Sequence, residues 1–83
     1  MDEVLFKKLQ WRCRRGMKEL DVLMQGYLNQ MYRDAPAEEQ QAFHALVEMP
    51  DPELYHYFIG KRTMENTQLS ELIEKIRKAF NLV

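Results

Sequence analysis

Met17, Leu20, Met24, Tyr27, Leu28 and Met31 recur at spacings of three and four. That rhythm buries one stripe of a helix and does not fit the two-residue alternation of a strand. It predicts a helix from about Met17 to Tyr32 or Arg33, around which the rest of the chain must pack. Ahead of it lies a second helical pattern, from Asp2 or Glu3 to about Arg14. Its apolar stripe is Val4, Leu5, Leu9 and Cys13, or Phe6, Leu9 and Cys13. Gly16 separates the two and suits the residue after a helix end, where a positive φ is tolerated without a Cβ clash. Gly26, inside the second helix, costs about 1 kcal/mol relative to alanine, and its use there points to close approach of another helix.

The remaining chain is punctuated by proline, glycine and capping residues. Asp34-Ala35-Pro36 opens a third helix, roughly Pro36 to Glu48, with Phe43, Leu46 and Val47 buried. Met49-Pro50-Asp51-Pro52 is a hard break. Asp51 reads there as the N-cap of a fourth helix, Pro52 to Ile59, and Gly60 ends it. Lys61 to Asn66 reads as a polar loop. Thr67 or Asn66 caps a fifth helix, Gln68 to about Phe80, striped by Leu69, Leu72, Ile73, Ile76 and Phe80. Glu71 with Lys75 and Glu74 with Lys78 stand at the four-residue spacing of helical ion pairs. No strand pattern or repeat is present, so the expectation is an all-α chain: a compact five-helix bundle forming one domain over residues 1–83.

Charge is distributed unevenly. The formal net charge is −1, which argues against wholesale nucleic-acid binding. Yet Lys7, Lys8, Arg12, Arg14, Arg15 and Lys18 are half of the 12 basic residues, while Asp34 to Glu53 carries only acidic charge. Such a dipolar molecule steers one face toward an acidic or phosphate-bearing partner. One cysteine makes no internal disulfide and suits a reducing compartment. No apolar run approaches the roughly 20 residues of a membrane span, and Met1-Asp2-Glu3 resembles no targeting segment. The expectation is a cytoplasmic protein without membrane insertion, monomeric when free.

Signatures of catalysis are missing. Cys13 at a buried helical position reads as a small hydrophobe. His44 and His56 lack metal-ligand spacing to each other or to Cys13, so no metal site is expected. Phosphate loops, dinucleotide fingerprints and nucleophile elbows do not occur. Met17, Met24 and Met31 fit core filling better than an adaptable binding face. Tyr55, Tyr57 and Phe58 cannot all point inward from one short helix, so one of them is expected to be an exposed anchor for a partner.

What lifts the chain above a generic helical domain is Trp11-Arg12-Cys13-Arg14-Arg15-Gly16-Met17-Lys18-Glu19-Leu20-Asp21. Taken by itself it is a helix corner with its charges where helix dipoles favour them. It also resembles the motif of the small assembly factors that promote covalent flavinylation of the succinate dehydrogenase flavoprotein subunit. Trp11, Arg14, Arg15, Gly16, Met17, Glu19, Leu20 and Asp21 match that motif, and Asp51-Pro52-Glu53-Leu54-Tyr55 matches a second family run. Tyr57 stands where relatives often carry tryptophan.

The resemblance implies a helper and not an enzyme. It implies a partner-binding surface drawn from Trp11, Arg14, Arg15, Gly16, Met17, Glu19, Asp21, Asp51 and Tyr57, with Arg15, Gly16 and Glu19 foremost. The partner implied is the flavoprotein subunit of succinate dehydrogenase, or the related subunit of fumarate reductase. FAD would be held by that partner, with no cofactor bound tightly by this chain. Relatives of this kind are also described as antitoxins, so a regulatory binding module of a toxin–antitoxin pair is the alternative. Direct nucleic-acid binding is disfavoured by Glu19 and Asp21, which lie where a recognition helix makes its base and phosphate contacts.

Overall fold

The computed structural model describes residues 3–60 and 65–80. Within them the chain forms α1 (Glu3–Arg12), α2 (Lys18–Gln30), a 3-10 turn (Tyr32–Asp34), α3 (Ala37–Val47), α4 (Asp51–Phe58) and α5 (Thr67–Ala79). The expected all-α bundle of five helices is what these residues build. The start expected at Asp2 and most of the expected Lys61–Asn66 loop lie outside the described residues.

Helix α2 is central, packing against α1, α4 and α5, while α3 lies along α5. Its stripe of Leu20, Leu23, Met24, Tyr27 and Leu28 is buried, and Met17 and Met31 pack on the edge of the core. The methionines therefore fill the core and its margin. Tyr27, Tyr32 and Phe43 form an aromatic cluster, with centroids 4.6 Å apart for Tyr27–Phe43 and 5.6 Å for Tyr32–Phe43. Each Tyr hydroxyl reaches a polar group at the edge of the core, as a buried phenol requires. Tyr27 donates to Glu39 Oε2 at 2.6 Å, and Tyr32 Oη pairs with His44 Nε2. Glu39 also accepts from Lys75 Nζ of α5 at 2.8 Å, so one carboxylate ties α2, α3 and α5 together.

On α1 the inward stripe is Phe6, Leu9 and Cys13, leaving Val4 and Leu5 exposed. The close approach expected at Gly26 is real. A Cβ there would lie 2.8 Å from the Phe80 ring at the end of α5.

Several local expectations are corrected. Helix α1 ends at Arg12, two residues early, because Arg14 N–H turns back to Trp11 O in a tighter three-residue bond. Gly16 does not adopt positive φ; among the glycines Gly60 does, at 84°. Helix α2 stops at Gln30, and the chain re-forms as the 3-10 turn that seats the Tyr32 ring in the core. Pro36 and Pro50 are the extended N-cap residues of α3 and α4. Asp51 is thus the first helical residue of α4 and caps nothing in its own helix. Asn66 does cap α5, accepting from Leu69 N–H at 3.1 Å. Lys75 pairs with Glu39 and Glu74 with Arg77, in place of the two expected four-residue pairs. Tyr55 and Tyr57 are both half-buried against the core beside the fully buried Phe58. The exposed aromatic is instead Trp11, 73% accessible.

Candidate functional site: the arginine–glycine corner

Between α1 and α2 the chain turns through Cys13–Met17, and the turn is bolted to the junction of α3 and α4. Arg15 supplies the bolt. Its Nη1 donates to Met49 O at 2.8 Å and to Asp51 Oδ1 at 3.2 Å, and its Nη2 donates to Val47 O. The guanidinium therefore covers free carbonyls at the C-terminal end of α3, where cations are favoured. Asp51 lies in the first turn of α4, where anions are favoured. The Arg15 side chain is only 9% exposed, and its Nε is buried without a partner among the described residues.

The other Asp51 oxygen, Oδ2, accepts from Gly16 N–H at 2.9 Å. Asp21 completes the frame by accepting from Arg15 N–H at 3.1 Å and from the Gln25 side chain one turn further along α2. Two carboxylates thus grip consecutive backbone amides of the turn, one from α2 and one from α4. Both acceptors are ionised, so these bonds are charge-assisted.

The motif residues consequently divide. Arg15, Asp21 and Asp51 face inward and hold the corner, and Met17 packs on the core margin. Gly16 and Glu19 face solvent, as do Trp11, Arg14 and Lys18. A Cβ on Gly16 would meet only Asp51 Oδ2, at 3.4 Å. Among the described residues neither φ nor packing demands a glycine there. Arg14 stacks over the Trp11 ring, its guanidinium carbon 5.2 Å from the ring centroid. Tyr57 stands apart, on the core side of α4. The structure thus joins Asp51 to the Arg15–Gly16 turn through direct bonds, a link that two separate sequence runs did not reveal. The acid in the second run was the only hint of it.

Burial pushes the Cys13 thiol up to about 12, with Arg15 pulling it down and Asp21 adding to the rise. At neutral pH it is a protonated, inert core group. Among the described residues no group of three or more His, Cys, Asp or Glu side chains converges to hold a metal ion. No helix among them is long and apolar enough to cross a membrane.

The turn presents bare backbone, a carboxylate without an ion pair among the described residues, and a stacked cation and indole, on a small all-α protein. Comparison with known proteins gives the class a family. The family model described as flavinator of succinate dehydrogenase matches residues 7–80. The FAD assembly factor SdhE of Coxiella burnetii is 38% identical over 72 residues, covering 87% of this chain and 88% of its own length. That of Shewanella oneidensis is 35% identical over 77 residues, covering 93% and 94%, and that of Idiomarina loihiensis is 39% identical over 67 residues, covering 81% and 74%. The chain belongs to the flavinator of succinate dehydrogenase family.

Proposed function

We propose that this protein is a non-catalytic, cytoplasmic assembly factor that binds the succinate dehydrogenase flavoprotein subunit and promotes covalent attachment of its FAD. Membership of the family supports the reading, and the observation that carries it is the division of the motif. Arg15, Asp21 and Asp51 fix the turn, and Gly16 and Glu19 are thereby held toward an incoming surface. Gly16 lets a partner backbone approach closely, and Glu19, without an ion-pair partner among the described residues, accepts its donors. A rigid corner of this kind binds without the ordering cost that a mobile loop carries.

The factor acts by holding the flavin-loaded subunit in a linkage-competent conformation, with FAD seated on the partner. It works as a monomer, and the homologous subunit of fumarate reductase is served by the same corner. None of the relatives reported above carries an antitoxin name, and no observation favours that role.

The test is covalent flavin on the flavoprotein subunit, read by in-gel fluorescence in cells lacking this protein. Covalent flavin is expected to fall, to return with wild type, and to stay low with Gly16→Arg or Glu19→Ala. Unchanged flavinylation throughout would sink the assembly role. Saturable FAD binding by the isolated chain at low micromolar concentration would overturn the view that the partner alone holds FAD.

A further inference from the structure

Beside the corner a groove of about 340 Å³ runs between α1 and α2, lined by Lys7, Gln10, Trp11, Arg14, Gln25 and Asn29. Leu28, 1% exposed, lies at its floor. Two cations, three amide side chains and an indole supply donors along its length, and no carboxylate among the described residues lines it. Lys7 and Arg14, like their neighbours Lys8 and Lys18, have no ion pair among the described residues. In contrast, Arg12 pairs with Glu48 and Arg33 with Glu3. The groove therefore keeps uncompensated positive charge on an otherwise acidic molecule. Trp11, the chain's single tryptophan, is 73% exposed, and Arg14 stacks on one face of its ring. Exposed, pre-positioned Trp and Arg side chains are the residue types that anchor protein interfaces.

We propose that this groove binds an acidic segment of the partner protein, with carboxylates engaging Lys7 and Arg14 and an apolar side chain covering the free face of Trp11. The inference rests on the docking role above and adds to it the chemistry of a second contact, next to the motif corner. From Lys7 the α1 axis runs about 7.5 Å to Arg12 at 1.5 Å per residue, and the turn closed by the Arg14 N–H to Trp11 O bond adds roughly 4 Å more at the 3-10 rise. Two carboxylates three residues apart on a polyproline II segment, with three residues per turn and about 3.1 Å rise per residue, lie on one face and span a comparable distance. The amides of Gln10, Gln25 and Asn29 are then placed to hydrogen-bond the extended backbone between them. A nucleotide fits less well, because the indole has one free face beside a guanidinium and the cations are spread along the groove.

The experiment labels the Trp11 indole nitrogen with 15N in the full chain and adds unlabelled flavoprotein subunit. The Trp11 resonance is expected to move on complex formation. Lys7→Glu combined with Arg14→Glu should weaken association by about tenfold or more at low salt, with the difference shrinking as salt rises. Lys7→Arg should bind as wild type does. Both positions are solvent-facing, and unchanged circular dichroism and Tm are the folding controls. A complex that forms with the Trp11 resonance unmoved, or that binds the double variant as tightly, overturns this inference and leaves the corner intact. Failure of wild type to bind the subunit overturns the docking role itself. A peptide carrying Glu-Ala-Ala-Glu should shift the resonance where Gln-Ala-Ala-Gln does not. Saturation by adenosine diphosphate ahead of the glutamate peptide would make the groove a nucleotide site and overturn the proposal.

Discussion

Truncating Arg15 strips donors from two backbone carbonyls and a carboxylate together. Asp51 would then keep a charge at a site where its side chain is only 25% exposed. We expect Arg15→Ala to cost about 2–4 kcal/mol, a Tm loss of more than about 10 °C in a domain of this size. Arg12→Ala removes an ion pair whose side chains are 57% and 58% exposed, and it should change stability by less than about 1 kcal/mol. Equal Tm losses in thermal melts would refute this ranking. Gly16→Arg behaves differently again. The position is exposed and its φ is not positive, so Tm should stay near wild type while co-purification with the flavoprotein subunit is lost. An unfolded variant would return Gly16 to a purely internal role. The sequence marked Arg15 as important but not in which direction it acts. A donor is visible in a sequence, whereas two of its acceptors are carbonyls 32 and 34 positions away, and any residue type carries a carbonyl.

At the scale of elements, helix existence was readable throughout, because each helix buries an apolar stripe at three- and four-residue spacing. The ends were less so. Pro36 and Pro52 announced α3 and α4, but Pro36 sits one place before its helix and Pro52 is the second residue of its own, because Pro50 takes the N-cap position and Asp51 is drawn into the tertiary ion pair instead of capping. The packing of α2 against α5 hinges on Gly26, where a methyl group would strike the Phe80 ring. Alanine gains about 1 kcal/mol of helix propensity and loses about 1–3 kcal/mol to overpacking. Gly26→Ala alone should therefore lower Tm slightly. In a Phe80→Ala background the same change should raise it, because the obstructing ring is gone. The same sign in both backgrounds, in a four-member cycle of thermal melts, would show that Phe80 is not what selects the glycine.

Across the whole molecule, one carboxylate, one phenol and one thiol report on integrity. Burial pushes Glu39 up, but the hydrogen bonds from Lys75 and Tyr27 and the Lys75 charge outweigh it and hold Glu39 below its ordinary value of 4.5. The folded chain thus binds this proton less readily than the unfolded chain does. The resulting stability is complete above about pH 4.5 and disappears as pH falls through the lower folded value. Urea midpoints measured between pH 6 and pH 3 should fall more steeply for wild type than for Glu39→Gln. At the alkaline end, burial and the Glu39 contact raise Tyr27 above its ordinary 10.0, so its share is lost only as pH climbs past 10. Cys13 is fully buried, and a thiol reagent at pH 8 should label it only as fast as the chain opens globally. Labelling that is fast and insensitive to stabilising conditions would place Cys13 in a locally opening segment.

The contact between Arg15 and Asp51 joins residues 36 positions apart, and between them lie the whole of α2, the 3-10 turn and α3. A chain synthesised only as far as Glu48 already contains every residue of the arginine–glycine motif. It lacks Met49 and Asp51, so Arg15 loses two of its three acceptors and the Gly16 amide loses its carboxylate. The corner is therefore a seal applied late. It takes its shape only after both halves of the chain have met, so under the proposed docking role a partner that reads the corner also reads whether folding is finished.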